Sequence, residues 1–447
     1  MYLTEHISGT VSRYDYEAQR WTDVVILSDS NVISASTVRQ CCPDGAFAIG
    51  GVFAGTLSLV CRLPGMGLFQ VRGARITLFS QYNGEASPQQ IGVFWVTNAS
   101  RVGDIFTLDA QDAVGWTDTS SYNASGSSVT GGIGKYLVDL GCSQTPEAWM
   151  KTVTAKVVDL VECQTGIPNM LTWKDYDLAA NNNERYCNQM IWARDDEHIY
   201  ETIYPAMFAC YPGSGASDSD CPRDFYIWLA TLAGGFVHAL PTGELTLGQF
   251  AQPEFGTAVI HTNEIELDTC DIADYTLQLL RVTVQSQLDA TRGASMEIYT
   301  SPDYAHRVTM RYQIADDPFL DGFVEWYIYH KQTVPSVWTI AHSLWRSFTE
   351  YGGGVVVRPF RCTVHKAARY HLGQKIEIHW RGRGETSETV YQSTITGIRW
   401  TFRGGTALSC GGEDSRVMAD AVRASKGDKA LQEARNRCNA LQREMGA

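Results

Sequence analysis

The sequence predicts an α+β fold that is mainly β: two β units, a mixed α/β unit inserted between them, and a helical C-terminal tail. Three observations predict it. Apolar and polar residues alternate with a period of two near the N-terminus and again beyond residue 253. Apolar residues at helical spacing are confined to a few stretches that end in Gly. The 40 glycines, with many Thr, Val, Tyr and Trp residues, favour strands and tight turns over helices. The expected boundaries are residues 1–118 (first β unit), 119–252 (mixed unit), 253–413 (second β unit, with a helix and a small β subdomain) and 414–447 (helical tail).

In the first unit, residues 23–27 (DVVIL) read as a strand. Residues 46–61 are the most apolar stretch, but Gly50, Gly51, Gly55, Thr56 and Ser58 interrupt it; it reads as two strands joined by a turn. It is also shorter than the roughly 20 residues of a membrane helix. Residues 74–79 place Ile76 and Leu78 on one face. Residues 90–98 and 104–110 form a hairpin in which Phe106, Leu108 and Ala110 alternate with Thr107 and Asp109. Residues 119–140, rich in Ser, Gly and Asn, read as a linker or exposed loop.

The mixed unit opens with a helix over residues 145–166: Thr145 caps it, Pro146 fits its first turn, and Gly166 stops it. Trp149, Met150, Val153, Val157 and Leu160 supply its apolar face. A second helix over residues 223–233 ends at Gly234-Gly235, and a short hairpin follows, residues 236–238 and 245–247 around Pro241-Thr242-Gly243-Glu244. In the second β unit Leu280, Val282 and Val284 alternate with polar residues. A third helix over residues 336–351 carries Val337, Ile340, Leu344, Trp345 and Phe348 along one side. Ile376, Ile378 and Trp380 oppose Lys375, Glu377 and His379, and Ile398, Trp400 and Phe402 repeat the pattern.

The tail differs in kind. Residues 415–445 are charged, Ala-rich and free of Pro. Val417, Ala421, Ala424 and Leu431 follow heptad-like spacing, as do Leu431, Ala434, Cys438, Leu441 and Met445 after a phase slip near Gly427. These residues are the candidate interface. The stripe suits a helix, or two, that docks on a partner or on copies of itself, or one that folds back on its own domain. Its basic residues outnumber its acidic ones, against the sign of the whole chain.

Composition narrows the function classes. A 447-residue chain with 44% apolar and 19% charged residues has ample material for packed cores. A net charge of −13 disfavours binding to nucleic acid by phosphate neutralisation. It suits a particle component, or a channel wall to which passing DNA does not stick. The N-terminus has neither a basic nor an apolar leader region, so no export signal is expected. The 12 cysteines are accordingly read as reduced thiols.

No catalytic constellation stands out. There is no Gly-x-Ser-x-Gly elbow and no His-Glu-x-x-His zinc helix. The segment from Gly131 to Tyr136 lacks the first Gly and the Ser or Thr of a phosphate loop. Cys41-Cys42 is not a chelating pair, because adjacent side chains diverge. Cys210 and Cys221 flank a polar loop and read as a chance spacing rather than a disulfide. His365, His371 and His379 lie close in sequence, and three histidines are able to hold zinc. With a turn between two strands separating them, they read as ordinary surface or half-buried residues. Acidic clusters such as Asp195-Asp196-Glu197 read as solvated loops, and paired glycosidase carboxylates are not recognisable without a cleft. No catalytic residue, cofactor or metal site is therefore assigned.

Four stretches carry a likeness. The first is Ile91-Gly92-Val93-Phe94-Trp95-Val96 with the segment from Val102 to Ala113. The second runs from Cys221-Pro222-Arg223 through Ala233-Gly234-Gly235-Phe236 to Gly243-Glu244-Leu245. The third is Asp316-Asp317-Pro318-Phe319-Leu320. The fourth runs from Arg358-Pro359-Phe360 through Leu372-Gly373-Gln374-Lys375-Ile376 to Gly411-Gly412-Glu413, with Gln374 where an Asp is common. In this order they resemble tail-hub proteins of phages and phage-derived injection machines: the baseplate hub of contractile tails and the N-terminal hub region of siphophage tail-associated lysins. The resemblance implies two tail-tube-like β-domains per chain. It also implies a homotrimer that presents a pseudo-sixfold ring to a sixfold tube. Implied partners are the distal tail protein, the tape measure protein, the tail tube and receptor-binding or central fibre proteins. Viral DNA passes through without specific binding, and the tip contacts the host envelope. The implied location is the virion tail tip, assembled in the bacterial cytoplasm. Lysins of this kind often carry a wall-cutting domain beyond the hub; only a short tail follows here, so no enzyme activity is expected. The alternatives are a carbohydrate- or receptor-binding adhesin, for which grouped aromatics among the 12 Trp and 21 Tyr would speak, and a hub with cell-wall hydrolase activity.

Overall fold

The alternation read in the N-terminal unit is a burial pattern in the computed structural model of the chain. It describes residues 4–43, 47–118, a broken set within 154–174, 222–232, 234–251, 255–266, 269–284, 294–297, 308–314, 348, 355–365, 369–381 and 387–411. The fold is α+β and mainly β. The N-terminal strands are β1 (Glu5–Asp15), β2 (Arg20–Ser28), β3 (Val32–Gln40), β4 (Gly51–Val52) and β5 (Thr56–Arg62). A single helical turn, α1 (Leu68–Val71), precedes β6 (Arg75–Tyr82), β7 (Gln89–Val102) and β8 (Ile105–Gln111). Ile76 and Leu78 of β6, and Phe106, Leu108 and Ala110 of β8, are buried as the alternation requires. β7 and β8 form the expected hairpin, with Val102 opposite Ile105 across a two-residue turn.

The middle of the chain supplies α2 (Pro222–Leu232), β9 (Gly235–Ala239) and β10 (Leu245–Gln249). The helical stop signals act where expected. The Gly166 N–H donates to the Glu162 carbonyl at 2.7 Å, and Gly166 and Gly234 take φ of 69° and 64°, the left-handed conformation that ends helices. Thr145 and Pro146 lie outside the described residues. Residues 46–61 do contain two strands, but they are not partners: β4 pairs in parallel with β9, whereas β5 pairs with β3 and β8. Only a short loop separates β4 from β5, yet it delivers them to different sheets.

The C-terminal strands are β11 (Thr257–His261), β12 (Asp271–Ile272), β13 (Leu277–Val284), β14 (Ala294–Glu297), β15 (Val308–Ile314), β16 (Phe360–Val364), β17 (Lys375–Trp380), β18 (Thr389–Thr394), β19 (Gly397–Thr401) and β20 (Gly405–Cys410). Ile376 and Ile378 are buried, as are Ile398, Trp400 and Phe402. Of the third expected helix, Phe348 alone is described; it is helical and buried. Among the described residues, no helix is long and apolar enough to cross a membrane.

Strand pairing merges the N- and C-terminal β units. One sheet of eleven strands runs in the order β12-β16-β20-β19-β3-β5-β8-β7-β6-β1-β2, joined at the antiparallel pair β19·β3. The sheet curls. β1 and β19 lie six steps apart in that order, which is roughly 29 Å in a flat sheet at ~4.8 Å per strand. Yet the Trp400 indole N–H of β19 donates to Glu5 of β1 at 2.8 Å. The inward faces of β1, β3 and β5–β8, with Trp400 and Phe402, share one core that includes Val11, Leu59, Leu78 and Leu108. A second core joins Cys41, Trp95 and Val114 to Tyr226 of α2, Phe236, Leu247, Ile376 and Ile398. It packs the middle segment against the merged sheet. Three smaller sheets complete the fold: β10-β9-β4, β11-β17-β18 and β14-β13-β15.

Candidate functional site

Among the described residues, places with the exposure or polar clustering that function needs include the open edge at β2, the β7–β8 hairpin tip, and a histidine–carboxylate cluster on β11-β17-β18. The sequence-predicted interface residues Val417, Ala421, Ala424, Leu431, Ala434, Cys438, Leu441 and Met445 lie outside the described residues.

Among the described residues, β2 ends the eleven-stranded sheet and pairs only with β1. Its register is held by a hydrogen bond from the Ser12 hydroxyl to Asp23 at 2.6 Å, beside a bulge at Val11/Ser12. Leu27 points inward and is buried, while Ile26 is 74% exposed and Val24 is exposed beside it. Val102, at the β7–β8 turn, is 81% exposed. An unpaired strand edge carrying apolar side chains is a template for another chain, since its N–H and C=O groups have no ladder partner on that side.

The sequence-grouped histidines part company. His365 faces Glu266 at 3.7 Å. His371 stacks on Phe255 with ring centroids 4.1 Å apart, and partial burial lowers its pKa to about 4. Only His379 enters a cluster, and its neighbours are His261 and Glu388. Parallel pairing of β11 and β17 sets His261 directly opposite His379, with ring centroids 4.7 Å apart. Glu388, just ahead of β18, places Oε2 at 3.7 Å from His379 Nδ1 and 4.0 Å from His261 Nδ1. No spacing in the sequence signals this group, because its members come from two strands and from the segment just ahead of a third.

Other polar groups are internal. Asp112 is 6% exposed; burial raises its carboxyl to about 7, although backbone hydrogen bonds at Gly55 and Val114 and the Arg39 charge pull the other way. His238 packs on Phe236 and is lowered to about 3, chiefly by burial and then by Arg39. The adjacent thiols of Cys41 and Cys42 donate to separate carbonyls, Cys41 to that of Thr396 and Cys42 to that of Ala48. Burial pushes Cys41 well up and Cys410 to about 12. The described cysteines, Cys41, Cys42, Cys61, Cys270, Cys362 and Cys410, are free thiols.

No protein-family profile and no curated protein sequence matches the chain. The solved structures that align with it include tail proteins. A tail protein from Neisseria meningitidis MC58 aligns at 10% identity and a TM-score of 0.45, over 91% of this chain and 95% of that one. The 43 kDa tail protein of prophage MuSo2 from Shewanella oneidensis aligns at 9% identity and a TM-score of 0.43, over 92% and 99%. An E. coli type VI secretion component, described as similar to T4 tail proteins, aligns at 8% identity and a TM-score of 0.33, over 86% and 74%.

Proposed function

We propose that the chain is a structural hub protein at the tip of a phage or phage-like tail. In this reading it forms a homotrimer that joins the tail tube and distal ring to the tip and lines part of the DNA channel. The observation that carries the reading is the curled sheet, built from both ends of the chain and left open at β2. Such a sheet suits ring building: its body is closed by side chains, while its free edge remains available to a neighbouring copy. The ordered motifs over residues 91–413 support the same reading. So does the net charge of −13, which favours a bore that repels phosphate over about 8 Å at physiological salt. The chain works by assembly in this account and is not an enzyme. Its partners are further copies of itself, the distal tail protein, the tape measure protein and the central fibre.

Mass measurement of the purified full chain under native conditions tests the proposal. Multiples of three chains are expected. A species that stays monomeric at concentrations well above those of assembly overturns it.

A further inference from the structure

We propose that His261, His379 and Glu388 bind a divalent first-row transition ion of the zinc class. The inference goes beyond the assembly role and does not depend on it. The donor atoms, two imidazole nitrogens and one carboxylate oxygen, lie within 4.8 Å of one another. The separations of 3.7 and 4.0 Å from Glu388 Oε2 to the two Nδ1 atoms are too long for hydrogen bonds. They approach the spacing of donors around a shared ion. Bonds of ~2.0–2.1 Å to a tetrahedral zinc put neighbouring donors about 3.3 Å apart. Small rotamer adjustments therefore close the site. Imidazole donors select zinc, cobalt or nickel over calcium and magnesium, which take oxygen.

The surroundings hold the donors in place. The backbone N–H of His261 donates to the Glu264 carboxylate at 2.9 Å. The Thr262 hydroxyl donates to the His379 carbonyl at 2.8 Å and accepts the Arg381 N–H at 2.7 Å, which stitches the ends of β11 and β17 together. Glu377 Oε2 stands 4.0 Å from His379 Nε2, on the ring's far side from Glu388. Its other oxygen accepts from Gln392 at 3.0 Å. Its charge acts on the ring through space, without a hydrogen bond, and favours a proton on Nε2 over one on the Nδ1 that faces the site. Arg381 sits 3.5 Å from Glu388 Oε1, so Oε2 is the oxygen left for the ion. His261 and Glu388 are exposed and His379 is half-buried, which gives an ion access and leaves a further coordination position to water.

The untagged full chain, stripped with chelator, is titrated with zinc chloride by calorimetry and with cobalt chloride by absorption. One equivalent per chain is expected. The His261→Ala/His379→Ala double variant should lose it. X-ray absorption on the zinc-loaded wild type reads the ligands without any substitution; two imidazoles with oxygen donors are expected. The proposal is overturned by absence of stoichiometric binding, by binding that survives the double variant, or by a thiolate or single-imidazole ligand set.

Discussion

Glu5 is 2% exposed, and every hydrogen bond it makes tethers the N-terminal strand to another element. Oε1 accepts from the Ser80 hydroxyl at 2.6 Å and the Trp400 indole at 2.8 Å, and Oε2 accepts the Arg403 backbone N–H at 2.8 Å. Removing the carboxylate takes the acceptor from the Ser80 hydroxyl, the Trp400 indole and the Arg403 N–H at once. Glu5→Ala is therefore expected to cost about 3 kcal/mol, with Glu5→Gln costing less because one acceptor oxygen remains. Chemical denaturation measures both; a loss under about 1 kcal/mol for the alanine variant would refute this role. Nothing near Glu5 in sequence marks it as interior, because Trp400 is 395 residues away. His379 illustrates the same limit. Its place on the polar face of β17 is legible from the alternation, but its neighbour His261 is not.

Elements divide according to what defines them. β6, β8 and β17 are visible as alternations, and α2 as an apolar helix stopped by Gly234, because these signals are local. β4 and β5 are visible as strands, but their partners are not. β2 poses the functional question at this scale. Its buried Leu27 anchors the strand, whereas Ile26 contributes almost nothing to the fold because it is 74% exposed. Ile26→Lys should thus change stability by less than about 0.5 kcal/mol. A lysine on an edge strand opposes pairing with another chain. If β2 is the assembly edge, the native mass of the variant shifts from trimer toward monomer while its unfolding curve stays put. An unchanged trimer would remove β2 from the interface.

At the scale of the whole molecule, stability follows pH through buried groups of opposite sense. Asp112 rises from 3.8 to about 7 in the fold, so the folded state holds its proton longer than the unfolded chain. Its contribution is complete below pH 3.8 and is lost as pH rises to 7. His238 and His371 fall from 6.5 to about 3 and about 4. They cost nothing above pH 6.5, but the unfolded chain takes up their protons first as pH drops below it. Each group contributes a slope of up to about 1.4 kcal/mol per pH unit within its window. The two histidines outweigh the one carboxylate between pH 4 and 6.5, so among these three groups stability rises over that range and levels off near pH 7. Denaturation at successive pH values tests this: Asp112→Asn should remove the opposing slope and steepen the rise between pH 4 and 6.5. A profile identical to wild type would show that Asp112 is not protonated in the fold.

The sequence alone determined the class of the fold, the faces of strands such as β6, β8 and β17, and the helix stops at Gly166 and Gly234. Those properties are set by side-chain periodicities of two and 3.6 and by glycine conformation, which act between near neighbours. It also excluded the familiar catalytic motifs and supplied the ordered stretches on which the hub resemblance stands. Only the tertiary structure decided which strands meet. β3 joins β19, β4 joins β9, and β11 joins β17, and these pairings curl the sheet, expose β2 and bring His261 to His379. The entropy of closing a loop grows only with the logarithm of its length, so distant pairings cost little more than near ones. The choice among them is made by burial summed over the whole chain, and no short stretch of residues carries that sum.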